Sequence, residues 1–369
     1  MKVLIAAGGT AGHINPALAI ADEIRARQPD AEILFAGRRE GMEGTLVPKA
    51  GYPFVHIEVR GFQRRLSLTN IRRNLAAIWY LALSGPAAKK IIRDFSPDLC
   101  IGTGGYVSGP IVRAAAKCGV RTAIHEQNAF PGVTNKLLAK EVDLVLSATK
   151  GAVERLEAPE KTHVVGNPVR AAVFHQDAAA CKQAVHAEGR TVLLSFGGSL
   201  GAAPLNEAAA ALAQWHLKNR DLLHIHATGK AGKEPFAALL KEKGIAPGKN
   251  LVVKEYIDDM PAMLAAADLV ISRAGALTIS ELTAAGRASI LIPSPYVAEN
   301  HQYYNALELE KAGAAIVVEE KELTDQKLID LVEKLTADPA ALRRMGQSAA
   351  AMAVPDSAQR ICDLLLGLF

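Results

Sequence analysis

The chain is poor in the residues that would make it disulfide-stapled, zinc-bound or membrane-spanning. Its 369 residues hold four cysteines, Cys100, Cys118, Cys181 and Cys362, far apart and without a CxxC spacing. Reduced thiols are expected, not a disulfide or zinc framework. No apolar run approaches the ~18 to 20 residues of a membrane span; the longest candidate is LAAIWYLAL, Leu75 to Leu83. No secretory leader is expected, because the apolar run after Lys2 is short and ends in Gly8-Gly9. Charge of one sign is also scarce: 42 Lys and Arg against 38 Asp and Glu leave +4. That balance gives little support to a nucleic-acid partner, and none is expected. Aromatic residues are only 5% of a chain that is half hydrophobic, which suits a helix-rich α/β enzyme.

What is abundant is alternation. KVLIAA, AEILFAG, LCIGTGG, RTAIHEQN and VDLVLSA read as five strands separated by helical segments. A second series follows: RTVLLSFGG, LLHIHATG, NLVVKEY, ADLVISRAG, ASILIPS and AAIVVEE. Strands alternating with helices mean parallel sheets covered by helices. The fold class expected is α/β, two Rossmann-like doubly wound sheets in tandem, facing a central cleft with ligands at the carboxyl ends of the strands. The domains are expected at 1–165 and 166–340, with a helical segment 341–369 crossing back to the first.

The two series share a loop. With Val3 laid over Val192, VLIAAGGTAGH falls on VLLSFGGSLGA without a gap, and Gly8, Gly9 and Gly12 fall on Gly197, Gly198 and Gly201. Glycines let backbone N–H groups approach an anion, and the following helix end adds favourable partial charge. His13 falls on Ala202, so the loop does not need a histidine to form. The residue is read as chemistry placed on a scaffold; the plainer reading is a polar residue satisfying a helix start. The strict G-x-G-x-x-G pattern of dinucleotide sites is missing from both copies. Arg38 and Arg39, at the second strand's tip, leave an NADP-dependent oxidoreductase as a minor alternative. Downstream, SRAGALTISELTAAGRASILIPSP carries Glu281 within the apolar pattern of a short helix. A carboxylate there could accept hydrogen bonds from both hydroxyls of a ribose, with a diphosphate at the helix N-terminus.

GGTAGHINPALAIA, GGYVSGPIVRAA, HEQNAFPGVTNK, GNPVR, FGGSLGA, SRAGALTISELTAAGRASILIP and ENHQYYNALELEKAGAA, in that order, resemble the motifs of a bacterial glycosyltransferase family, family 28. Its members move GlcNAc from UDP-GlcNAc onto lipid I to complete lipid II of peptidoglycan. The likeness runs from residue 3 to about residue 318. It implies the two-domain GT-B fold, with the lipid acceptor on the N-terminal half and UDP-GlcNAc on the C-terminal half. It implies inverting transfer to the C4 hydroxyl of undecaprenyl-diphospho-MurNAc-pentapeptide. By matching motif, the resemblance gives Ile257 a backbone contact to uracil and Glu281 the ribose diol. It gives Ala276, Leu277, Thr278, Ile279 and Ser280 the loop over the diphosphate, which Ser199 and Arg170 also meet. Gln302 would meet the sugar, and Thr10, Ala11, Gly12 and Asn128 would line the donor–acceptor junction. Two positions depart from the family pattern: Ala11 stands where glycine is common, and His301-Gln302 where two glutamines are. If position 11 needs a positive φ, alanine is strained there. A GT-B enzyme with another acceptor, a UDP-GlcNAc 2-epimerase and a non-catalytic nucleotide-sugar binder are the alternatives.

Inverting transfer needs a base for the acceptor hydroxyl and stabilisation of the departing UDP. His13 is the first candidate base, because an imidazole near pKa 6.5 is largely neutral at cytosolic pH. Glu126 competes: it could be the base, orient His13 or complete a polar loop. The Asp-x-Asp that holds a divalent ion in many nucleotide-sugar enzymes is missing, and Asp258-Asp259 reads as a helix start. No metal and no cofactor is expected. Arg64, Arg65, Arg72 and Arg73 precede an apolar run containing Trp79, and Lys89 and Lys90 follow it. That composition suits a peripheral patch on the anionic inner membrane, cytoplasmic side; the plainer reading is an amphipathic helix with solvated charges. Cell-wall synthesis complexes are further expected partners.

Overall fold

The structure is a computed structural model and describes residues 1–59, 84–219 and 222–369. Arg64, Arg65, Arg72, Arg73 and Trp79 lie outside the described residues. The chain divides into two compact units, Met1–Pro168 with Asp356–Phe369, and Val169–Pro355.

In the first unit seven strands form one parallel sheet in the order β3-β2-β1-β4-β5-β6-β7. They are β1 Lys2–Ala7, β2 Glu32–Gly37, β3 Phe54–His56, β4 Leu99–Gly104, β5 Arg121–Glu126, β6 Leu144–Ser147 and β7 Thr162–Val164. The two short outer strands β3 and β7 add to the five read from sequence. They carry only three residues each, too few for an apolar run to stand out. The central strands are buried on both faces, which is why they read as continuous apolar runs without alternation. Helix Ala11–Arg27 covers one face through Ile14, Ala17, Ile20 and Ile24. Ile361, Cys362 and Leu365 of helix Ser357–Leu366 join the same core. Arg27 ties the two helices together through Asp363.

The second unit repeats the topology with six parallel strands in the order β10-β9-β8-β11-β12-β13. They are β8 Thr191–Phe196, β9 Leu222–Ala227, β10 Leu251–Lys254, β11 Leu269–Ser272, β12 Ala288–Leu291 and β13 Ala315–Val317. The segment expected to cross back divides. Helix Pro339–Ala351 packs against β12 and helix Ala276–Ala285 of this unit, and only Asp356–Phe369 belongs to the first. The amphipathic pattern is the same on either side of Pro355, so the sequence could not tell which core each helix would complete.

In both sheets the strand order reverses beside the first strand of the unit, between β1 and β4 and between β8 and β11. The loops at the carboxyl ends of those strands border the crevice where doubly wound sheets bind ligands. Both glycine loops leave the sheets there.

The second sheet also buries an unexpected trio. His216, His224 and His226 are fully buried, and the Ser195 hydroxyl bridges His224 Nε2 and His226 Nδ1 at 2.7 Å each. Neither ring nitrogen of His216 has a partner among the described residues. Burial pushes His216 and His226 down to about 4, and His224 well below its ordinary value. An unfolded histidine titrates near 6.5. Between there and about 4 the unfolded chain therefore binds more protons than the folded one, and stability falls as pH falls. The trio's contribution is complete above pH 6.5. Urea midpoints should drop between pH 7 and pH 5, with a shallower slope in His216→Phe. A slope unchanged in His216→Phe would disprove the trio's role.

Candidate active site

The first glycine loop carries β1 into helix Ala11–Arg27. Gly9 takes φ +87°, the one left-handed residue of the loop. Ala11 is the first helical residue and is not left-handed, so the strain considered for alanine does not arise. The second loop departs from its copy. Gly201 takes φ +85° where Gly12 is helical, and its helix starts later, at Ala203. A Cβ on Gly201 would sit 2.2 Å from the carbonyl oxygen of Thr228. This close approach to the end of β9 requires glycine.

His13 lies in the first helical turn, half-buried. Its Nδ1 is 3.0 Å from the carbonyl oxygen of Gly8 and 3.3 Å from Thr10 Oγ1. A carbonyl can only accept, so the Nδ1 contact places the ring proton on Nδ1 and leaves the lone pair on Nε2. Gly104, at φ +112°, makes room for the ring: a Cβ there would lie 2.6 Å from His13 Cδ2. The Thr103 hydroxyl holds the His13 carbonyl at 2.8 Å. Burial lowers the pKa of His13, opposed by the Gly8 hydrogen bond and the charges of Glu126 and Glu43. The imidazole is thereby kept neutral at pH 7.

Glu126 ends β5, almost fully buried. Its Oε1 accepts from the Asn128 backbone N–H at 2.9 Å and from Asn128 Nδ2 at 3.0 Å. Its Oε2 accepts from the Gly132 N–H at 3.1 Å and from Asn135 Nδ2 at 2.8 Å. Four donors organise the HEQNAFPG turn around this carboxylate. Beside it His125, pushed down to about 4 by burial, meets the Gly166 carbonyl at 3.0 Å. The Gln127 amide donates to the Thr103 carbonyl at 2.7 Å. HEQN thus joins the β4 loop to the GNP turn.

Sequence reading missed Glu43. It is 1% exposed, and its carboxylate accepts from the N–H groups of Gly9 and Arg38, both at 3.1 Å. One N–H group of the first glycine loop is therefore already bonded to a protein carboxylate. Glu43 lies within a charged loop sequence, REGMEG, and only its long-range partners mark it.

In the second unit, Glu281 stands on helix Ala276–Ala285, whose N-cap Gly275 leaves the first-turn N–H groups without a side-chain cap. Leu277, Thr278, Ile279 and Ser280 occupy that turn and the next, half-buried, and Ser280 Oγ bonds back to the Ala276 carbonyl at 3.0 Å. Burial raises the Glu281 carboxyl to about 7, with the Arg170 charge pulling it down. Arg170 itself is exposed, as is Ser199 in the second glycine loop. Ile257 is buried in the core, leaving its backbone as the group available to a ligand. Gln302 Oε1 accepts from the Ser294 N–H at 2.9 Å, so its Nε2 is the end left to donate. Two further residues absent from the sequence reading shape this site. Arg273 pairs with Glu320 and reaches the carbonyls of Ile292 and Pro293 at 3.1 and 3.2 Å. Asn305 Nδ2 holds the Ala274 carbonyl at 3.2 Å. Among the described residues no group of three or more His, Cys, Asp or Glu side chains is arranged to hold a metal ion.

Residues 3–147 match the N-terminal domain of glycosyltransferase family 28, and residues 192–361 its C-terminal domain. A relative from Acetivibrio thermocellus is 43% identical over 99% of this chain and 97% of its own length. One from Bacillus cereus is 41% identical over 99% and 98%. Both carry the name UDP-N-acetylglucosamine–N-acetylmuramyl-(pentapeptide) pyrophosphoryl-undecaprenol N-acetylglucosamine transferase. Among solved structures, Acinetobacter baumannii MurG superposes with a TM-score of 0.78 at 30% identity, covering 99% of each chain. A UDP-GlcNAc 2-epimerase from Neisseria meningitidis, at 15% identity and TM-score 0.67, shares the fold. With both halves matched and relatives above 40% identity along its whole length, the chain belongs to glycosyltransferase family 28 and has its two-domain GT-B fold.

Proposed function

We propose that the chain transfers GlcNAc from UDP-GlcNAc to the C4 hydroxyl of undecaprenyl-diphospho-MurNAc-pentapeptide, with inversion, forming lipid II for peptidoglycan. The observation that carries this reading is 41–43% identity, end to end, to relatives named for that transfer. The geometry of each unit supplies matching chemistry.

His13 Nε2 takes the proton of the acceptor C4 hydroxyl. The oxygen attacks the anomeric carbon of GlcNAc, and the bond to the UDP diphosphate breaks with its electron pair leaving on UDP. The first-turn N–H groups of Ala276, Leu277 and Thr278, together with Arg170 and Ser199, neutralise the departing diphosphate, as helix N-termini and guanidinium groups do. Glu281 holds the ribose diol, the Ile257 backbone reads uracil and Gln302 Nε2 donates to the sugar. Thr10, Ala11, Gly12 and Asn128 border the acceptor. Glu126, with four donors already on its carboxylate, acts as a positioning residue that also biases His13 electrostatically.

Membrane attachment is peripheral in this reading, on the cytoplasmic face of the inner membrane. Among the described residues no helix is long and apolar enough to cross a bilayer. Lys89 and Lys90 are exposed and would face anionic lipid with the basic run before them. Cell-wall synthesis complexes are the partners this location implies.

Leaving-group neutralisation by protein groups makes metal unnecessary. The decisive assay is transfer of radiolabelled GlcNAc to a short-chain lipid I analogue in EDTA, with UDP release counted. Transfer matched by UDP is expected. Activity lost in EDTA and restored by Mg²⁺ would refute metal independence, and UDP-GlcNAc binding without transfer would refute the acceptor.

A further inference from the structure

Two hydrogen bonds of the first glycine loop meet on one peptide group. The N–H of Gly9 and the carbonyl of Gly8 are the two ends of the Gly8–Gly9 peptide bond, which is planar and trans. Glu43 Oε2 accepts from the N–H end at 3.1 Å. His13 Nδ1 donates to the carbonyl end at 3.0 Å. A buried carboxylate and the candidate base therefore sit at opposite poles of a single amide dipole.

The carboxylate is built into this place. Glu43 opens the short helix Glu43–Lys49 and is buried. Its Oε1 accepts from the Arg38 N–H at 3.1 Å, so each oxygen has its own backbone donor. A glutamine could accept at only one of them and would turn an NH₂ group toward the other donor. Bare backbone lets the carboxylate come this close: a Cβ on Gly8 would fall 2.6 Å from Oε1. Away from water the charge is poorly screened, and hydrogen bonds in a chain polarise one another, by about 10–30% per bond. The charge on the N–H end thus strengthens the Gly8 carbonyl as an acceptor for the His13 ring.

We propose that Glu43 is a positioning residue of the transfer, holding His13 through the Gly8–Gly9 peptide in the orientation and tautomer that present Nε2 to the acceptor hydroxyl. The inference rests on the reading of His13 as the base. When Nε2 takes the hydroxyl proton, the Nδ1 proton stays where it is and the ring becomes a cation. The polarised Gly8 carbonyl and the Glu43 charge stabilise that cation. No proton reaches Glu43, because the amide keeps its hydrogen. Glu43 does for His13 what a directly bonded carboxylate does for the histidine of a hydrolase triad, with a peptide group in between.

The test is a double-mutant cycle of Glu43→Gln and His13→Ala, read as kcat and KM for UDP-GlcNAc across pH with the lipid I analogue. Glu43→Gln is expected to lower kcat about 10- to 100-fold, the range for removing the hydrogen-bonded support of a functional histidine, with KM nearly unchanged. Burial lowers the His13 pKa, and the Gly8 hydrogen bond and the charges of Glu126 and Glu43 oppose it. Without the Glu43 charge the acid limb of kcat/KM should therefore move to lower pH. In a His13→Ala background Glu43→Gln should cost kcat nothing further. Losses that multiply across the cycle overturn the proposal and leave Glu43 a scaffold of the loop; a Glu43→Gln kcat equal to the parent's overturns it too. His13→Ala with parental kcat instead defeats the base reading, and the proposal with it. A readout on the parent enzyme covers a variant that fails to fold. In protein labelled with ¹⁵N-histidine at pH 7, the His13 resonances, identified by their loss in His13→Ala, should show the proton on Nδ1. A proton on Nε2 overturns the proposal.

Discussion

Replacing His13 with alanine is expected to lower kcat about 10²- to 10⁴-fold, the range for removing a general base, with little change in the KM for UDP-GlcNAc. The ring's structural bonds are few: Nδ1 to the Gly8 carbonyl and to Thr10. The helix start is held by the backbone, with the His13 and Ile14 N–H groups donating to the Thr10 carbonyl at 3.1 and 3.2 Å. The pH profile carries a separate signature. A base must be neutral to act, and burial lowers the His13 pKa. The acid limb of kcat/KM should therefore fall below the ordinary histidine value of about 6.5. Glu126→Gln removes a charge that raises the His13 pKa, and should move that limb further down. A His13→Ala enzyme with kcat within a few-fold of the parent would sink the assignment.

Glu281→Gln is expected to weaken UDP-GlcNAc binding about 10²-fold, the loss of two hydrogen bonds to a charged acceptor at about 1.5–3 kcal/mol each, less what the amide retains. The same change should stabilise the empty protein at pH 8. The signs differ because of burial. The folded carboxyl titrates at about 7, against a model-peptide glutamate near 4.3. The folded chain thus binds the proton more tightly than the unfolded one, and between those values stability falls as pH rises. Glutamine carries no charge to desolvate. Donor affinity in the parent should instead rise with pH through about 7, as the acceptor becomes ionised, and level off above. In Glu281→Gln that dependence should vanish. Arg170→Ala, which removes a charge that lowers the Glu281 pKa, should shift the midpoint upward. Thermal melts at pH 8 and Kd values from pH 6 to 8 decide it. Glu281→Gln binding as tightly as the parent would remove the residue from the donor site.

Glu281 and Glu43 show why one part of the site was legible and another was not. Glu281 interrupts an apolar helical pattern after a strand and a glycine, a local signal within ten residues. Glu43 has no such frame. Its distant partner, Gly9, is brought to it by β1 and β2 pairing in parallel, and nothing near it in the chain marks it as buried. The same holds for the first glycine loop, where Glu43 meets the Gly9 N–H. The loop is a true copy in sequence, but the copies differ in what fills them.

The sequence by itself determined the tandem parallel sheets, because strands buried on both faces must be continuous apolar runs and parallel pairing needs a crossover between them. It also determined the glycine loops at the strand ends, because few other residues tolerate their backbone angles. Only the tertiary structure decided which unit the last helices complete, that Glu43 fills the first loop, and that His13 is held neutral while Glu281 titrates near 7. Those properties depend on burial and on charges brought close from distant segments, and neither quantity is written in local sequence.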